Sequence, residues 1–149
     1  MKRNIAITLI FLALASVPAI YSISPAYSSE EEAVRVALDN YLKAHATGDP
    51  AFLKKAFHKD ARIMAFSNDK LLNISLEEFA GRFNGKPAAD EAMRKRRIVS
   101  IDITGTAATA KIELDYPKVK FTDYMSLLKI DGEWQIVNKI FQADYKEAS

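Results

Sequence analysis

No cysteine occurs in the 149 residues. That excludes disulfides, thiolate metal sites, a cysteine nucleophile and a lipidated N-terminal cysteine. Histidine is almost as scarce: His45 and His58 stand alone. With no HxH, HExxH or Asp-rich calcium loop, no metal site and no cofactor is expected. The five glycines and five prolines are scattered, forming neither a Gly-rich phosphate loop nor a G-x-S-x-G elbow. Charge of one sign is also missing. The chain has 21 Lys+Arg against 19 Asp+Glu, and setting Lys2 and Arg3 aside leaves 19 of each, which argues against nucleic acid or an anionic membrane as a partner. The one basic run, Arg94 to Arg97, has no interleaved aromatics and reads as a charge-protected strand edge.

What the chain does have begins with a hydrophobic run. Ile5 to Ile20 follows the basic pair Lys2-Arg3, and Ser24-Pro25-Ala26 offers the small residues a signal peptidase reads. Residues 1–26 are therefore expected to be a signal peptide cut after Ala26, with Ala26-Tyr27-Ser28 as a second site. An uncleaved anchor is the alternative, since Ile5 to Ile23 is about long enough to span a bilayer when tilted. The product, 27–149, is expected to be a single exported domain, most naturally in a bacterial periplasm.

Within it, Ala33, Val34, Ala37, Leu38, Tyr41, Leu42 and His45 recur at helical spacing, predicting a helix from Glu30 to Ala46 with acids in its first turn. Asp49-Pro50 opens a second, short helix, His58-Lys59-Asp60 breaks it, and Ala61–Phe66 and Lys70–Ile74 read as strands around a turn. Ser75 and Glu78 form a capping box. After a loop over 84–91, Met93–Thr104 predicts a strand with Val99, Ile101 and Ile103 on one face. Ala108–Tyr116 returns with Ala110, Ile112, Leu114 and Tyr116 inward.

Phe121 to Phe141 reads as a hairpin turning at Asp131-Gly132. A regular two-residue turn sets Leu127 opposite Ile136, Met125 opposite Asn138 and Asp123 opposite Ile140. One face then carries Phe121, Asp123, Met125, Leu127, Trp134, Ile136, Asn138 and Ile140. A carboxylate and an amide on so apolar a surface are costly unless paired or used. Asp123 is thus a candidate general base or a structural carboxylate. Asn138 is either a donor to a ligand oxyanion or the partner that satisfies Asp123. His45, one turn after Tyr41, is a candidate acid or base looking into the same space, or a helix cap; His58 reads as structural. Helices followed by long antiparallel strands mean an α+β fold, its sheet bent around the helices with an apolar cavity between the layers.

The segments HATGDPAFLKKAFHKDARI, DYP and FTDYMSLLKIDGEWQIVNKIF resemble the NTF2-like superfamily, and within it the family described as "Putative lumazine-binding". The resemblance runs from about Glu32 to Gln142. It implies a cystatin-like, SnoaL-like or ketosteroid-isomerase-like cone: N-terminal helices packed on a strongly curved, mainly antiparallel sheet. It also implies a deep pocket and commonly a homodimer built on the outer sheet face, here Tyr124, Ser126, Leu128, Val137 and Phe141. The expected function is binding of a small apolar or aromatic molecule by Tyr41, His45, Phe121, Asp123, Met125, Trp134 and Asn138. An isomerase, dehydratase or cyclase with Asp123 as base, helped by His45, is the alternative. A non-catalytic subunit binding another protein through the sheet is a third reading.

Overall fold

The computed structural model describes residues 29–147; the expected signal peptide, 1–26, lies outside them. Helix α1 (Ser29–Thr47) buries Val34, Ala37, Leu38, Tyr41 and Ala44 as one stripe. Glu30, Glu31 and Glu32 lie in its first turn, where the positive end of the helix dipole favours them. Gly48, at φ +70, turns the chain out of the helix, its N–H donating back to the Ala44 carbonyl at 2.8 Å. Asp49 then accepts the Ala51 N–H at 2.8 Å and starts α2 (Ala51–Ala56). Strand β1 (Phe57–Ser67) follows without a break and turns at Asn68-Asp69 into β2 (Lys70–Ser75). Helix α3 (Leu76–Ala80) carries the expected capping box, Ser75 and Glu78 each bonding the other's backbone N–H. A single 3-10 turn, Glu91–Met93, leads into β3 (Lys95–Thr104), β4 (Ala107–Asp115), β5 (Val119–Ile130) and β6 (Glu133–Tyr145).

The six strands form one sheet in the order β2-β1-β6-β5-β4-β3, all neighbours antiparallel except β1 and β6. Helix α1 packs on both β6 and β3. In a flat sheet those strands would be about 14 Å apart, so the sheet curls over the helix. The result is the α+β cone, its core closed by Leu38, Leu53, Ile63, Ile112, Leu114, Leu127 and Ile136, none more than 1 % exposed. Among the described residues no helix is long and apolar enough to cross a membrane.

Three bulges change the sequence-based register. On β1, Phe57 pairs with Ile136 and Arg62 with Asn138; the stretch His58-Lys59-Asp60 is a bulged strand start, not a helix-breaking loop. On β3 the extra residue is Val99, which is 39 % exposed while Ile98, Ile101 and Ile103 pack against the core. On β6 the extra residue is Val137: Leu127 still faces Ile136, but Ser126 faces Asn138, Met125 faces Lys139 and Asp123 faces Phe141. Side chains alternate along a strand, so one inserted residue swaps every later position to the opposite face. Asn138 and Ile140 therefore leave the inner face, and Lys139 and Phe141 replace them.

Candidate functional site

Three elements bring three polar side chains into the centre of the cone. Tyr41 comes from the buried stripe of α1, Asp123 from the inward face of β5, and Lys139 from β6 beyond the bulge. Tyr41 and Asp123 are fully buried and Lys139 is 3 % exposed. The Tyr41 hydroxyl donates to Asp123 Oδ2 at 2.5 Å and accepts from Lys139 Nζ at 2.7 Å. Lys139 Nζ also lies 3.0 Å from Asp123 Oδ1. That contact is within ion-pair distance but is not an aligned hydrogen bond, and Oδ1 has no other partner. The rings of Tyr41, Phe79 and Phe141 stand 5.1, 5.2 and 4.8 Å from the ammonium. Burial, then the neighbouring Asp123 charge, pushes the Tyr41 hydroxyl well above its ordinary range. Burial also lowers the pKa of Lys139, although Asp123 pulls the other way. The phenol is thus a fixed neutral bridge between a carboxylate and an ammonium.

One helical turn along α1, His45 packs edge-to-face on Tyr41, ring centroids 4.7 Å apart. His45 Nδ1 is 3.2 Å from the Tyr116 hydroxyl, which also receives a bond from Arg96 Nε at 3.3 Å. Arg96 is held in turn by both Glu91 oxygens at 2.6 and 2.7 Å and by the His45 carbonyl at 3.1 Å. Burial first, then the cations Lys139, Arg96 and Arg94, hold the imidazole neutral with a pKa well below 6.5. A neutral ring has one N–H. The arrangement that satisfies every other group has Tyr116 donating to Nδ1, which puts that N–H on Nε2. Nε2 is inaccessible to water and has no partner. An unmet buried donor costs about 1–3 kcal/mol.

His45 is also part of the wall of a cavity of about 450 Å³ lined further by Phe79, Phe83, Tyr116, Val119, Phe121, Arg82, Lys86 and Arg94. The aromatic walls interlock: His45 with Phe83 at 5.1 Å, Phe79 with Phe83 at 5.4 Å and Tyr116 with Phe121 at 5.9 Å. Of the residues expected to form the site, His45 and Phe121 line this cavity. Tyr41 and Asp123 lie behind it in the sealed cluster, and Met125 is core at 1 % exposure. Trp134 sits elsewhere, its indole N–H donating to Glu30 at 3.0 Å beside Lys129. Asn138 is a correction: it faces outward against Met64, 3.8 Å from the sulfur, because of the Val137 bulge. Phe141 is the matching correction, since its ring packs inward on Phe121 at 6.1 Å. The sequence reading missed Lys139, Tyr116, Phe79 and Phe83. No His/Asp/Glu grouping among the described residues is suited to a metal.

His45 gives the site a measurable pH signature. A histidine kept neutral in the fold contributes stability that is complete above its unfolded pKa near 6.5 and is lost as pH falls below it toward the depressed folded value. Lowering the pH from about 7.5 to about 5.5 should therefore reduce the unfolding free energy by about 1 kcal/mol. Urea unfolding at the two pH values, beside His45→Gln, checks this; equal pH slopes for the two proteins would contradict it.

Comparison with known proteins agrees with this fold. An NTF2-like protein of unknown function from Shewanella baltica OS155 is 30% identical, with a TM-score of 0.71 over 81% of this chain and 98% of that one. Another from Methylobacillus flagellatus KT is 33% identical, with a TM-score of 0.69 over 80% and 96%. A cystatin-like domain from Nostoc punctiforme shares the fold at 12% identity and a TM-score of 0.60, over 81% of each chain. Aldolase FrzH of Cladobotryum sp is 27% identical over 116 residues, 78% of this chain and 93% of that protein. The family described as "Putative lumazine-binding" matches residues 29–142. The chain belongs to that family, within the NTF2-like superfamily.

Proposed function

We propose that this protein binds a small, flat, aromatic molecule in the cavity beside α1. The observation that carries the reading is the cavity itself, walled by the neutral His45 and ringed by Phe79, Phe83, Tyr116 and Phe121. A volume of about 450 Å³ suits a ligand of one or two rings, and stacking on several aromatic faces favours a planar one. We also propose export after cleavage near Ala26 and a homodimer through the outer sheet face. That face exposes Phe66, Leu71, Tyr124, Leu128 and Ile140, each by more than 40 %. Native mass spectrometry of the protein recovered from an exporting host tests all three parts. The expected spectrum shows a chain beginning at Tyr27, a dimer, and a co-purifying aromatic compound that is lost in His45→Leu. A compound retained in His45→Leu would contradict the proposed binding site.

A second reading has its own support. The bridged Asp123–Tyr41–Lys139 cluster supplies a base, a neutral proton carrier and a cation in a low-dielectric site, and one relative is named as an aldolase. On this reading a bound ligand displaces the His45 side of the wall that seals Tyr41, and the Tyr41 hydroxyl passes its proton to Asp123 as its oxygen takes the proton from carbon next to the ligand carbonyl. Proton NMR in deuterated water tests it. Catalysed exchange of the methyl protons of acetophenone, abolished in Asp123→Asn, is the expected result; no exchange by the unaltered protein removes this reading.

A further inference from the structure

The charges around the cavity point further than its aromatic walls do. Its lining includes three cations, Arg82, Lys86 and Arg94, and not one carboxylate. Arg94 is already matched: it bonds Asp90 at 2.7 Å and lays its guanidinium on the Tyr116 ring at 4.2 Å. Arg96, behind Tyr116, is matched by Glu91, and Lys139 by Asp123. Arg82 and Lys86 are left. Both are exposed, and neither forms an ion pair among the described residues.

Their placement is set by the fold. Arg82 lies just past α3, where the Arg82 and Phe83 N–H groups bond back to Phe79 and Ala80. Lys86 is fixed because its backbone rests on Gly48, with the neighbouring Gly85 N–H donating to the Gly48 carbonyl at 2.8 Å. The loop after α3 thus carries two positive charges, neither in an ion pair among the described residues, to the rim of an apolar cavity, where low-dielectric walls concentrate their field. A neutral aromatic would leave that charge unused. An anion would not.

We propose that the ligand is an aromatic carboxylate, its ring held among Phe79, Phe83, Tyr116 and Phe121 and its carboxylate at Arg82 and Lys86. The assignment rests on the cavity-binding reading above and narrows it to one charge class. Asn84, whose side-chain oxygen already caps the Lys86 N–H at 3.0 Å, keeps the Lys86 backbone in place rather than meeting the anion.

Titration calorimetry with 2-naphthoate and its uncharged counterpart 2-naphthamide tests the proposal on the purified protein and on an Arg82→Gln/Lys86→Gln variant. Both substitutions are at exposed positions, and circular dichroism verifies that the fold is kept. The expected result is about 10-fold tighter binding of the carboxylate, as charge-assisted hydrogen bonds give. That preference should shrink with added salt and vanish in the variant. Equal affinity for the two probes overturns the anion assignment but leaves the cavity reading standing. A preference that survives in the variant overturns the role of Arg82 and Lys86. Binding of neither probe overturns both the assignment and the cavity reading.

Discussion

Replacing Lys139 by Met should cost about 3–5 kcal/mol of folding stability, although the two side chains have similar length and apolar reach. Lys139 is the only cation within ion-pair distance of Asp123 among the described residues, and it also donates to Tyr41. Removing its charge strands a fully buried carboxylate whose Oδ1 then has no neighbour of opposite charge. The reverse comparison separates the cost of breaking the cluster from the worth of having it. Tyr41→Phe/Asp123→Leu/Lys139→Met removes all three polar groups at roughly constant volume, and should recover to within about 2 kcal/mol of the original protein, since apolar replacements of buried ion pairs are often near neutral. Urea unfolding of the three proteins checks both halves. A Lys139→Met cost below about 1 kcal/mol would mean that the carboxylate finds another partner. Full recovery in the triple variant would mean that the cluster is kept for what it does to a ligand.

Gly48→Ala should cost about 2–4 kcal/mol and disturb the cavity as well. At φ +70 the residue is in the left-handed region, where a side chain is strained by about 1–2 kcal/mol. An added Cβ would also fall 2.0 Å from the Lys86 carbonyl oxygen and 2.6 Å from its carbon. Backbone atoms cannot rotate aside as a side-chain tip can. The 84–86 segment must therefore lift, breaking the 2.8 Å bond from Gly85 N–H to the Gly48 carbonyl. Because Gly48, Asn84 and Lys86 all border the cavity, thermal melting and 2-naphthoate affinity should fall together. Gly105→Ala is the control: it has φ +58, nothing within 4 Å of the added carbon, and no place in the cavity. It should lose about 1 kcal/mol and leave binding unchanged. Equal losses from the two substitutions would show that the close approach at Lys86 is unimportant.

The fold was readable where local chemistry acts alone. The α1 stripe, the Ser75–Glu78 capping box and the Asp131-Gly132 turn each depend on residues within a few positions of one another. The inward set Ala110, Ile112, Leu114 and Tyr116 was equally legible, because β4 runs against β5 without a bulge. What failed was strand phase. Nothing in Gln135-Ile136-Val137-Asn138-Lys139 marks Val137 as the extra residue, since the choice is made by the strands on either side. Asp123 held the missing signal. A carboxylate on a greasy face asks for a cation, and moving the register by one residue brings Lys139 inward to answer it. Helical spacing put Tyr41 and His45 on the inward side of α1, but not that only His45 reaches the cavity wall while Tyr41 is sealed behind it. Tyr116 was read as core, and its bond to His45 was invisible because 71 residues separate them. Phe79 and Phe83 were likewise recognisable only as part of a short helix, since their place in the cavity wall comes from tertiary packing.

The Val137 bulge also makes the interior a property of strand pairing. With Val137 looped out, the centre of the cone holds Lys139 and Phe141; the same sequence in regular pairing would turn Asn138 and Ile140 inward instead. Deleting Val137 while the strand straightens would keep Lys139 and Phe141 inside, because the residue lost is the one that pairs with nothing. The charged interior therefore tolerates loss of the extra residue together with its bulge, but not loss of the bulge alone.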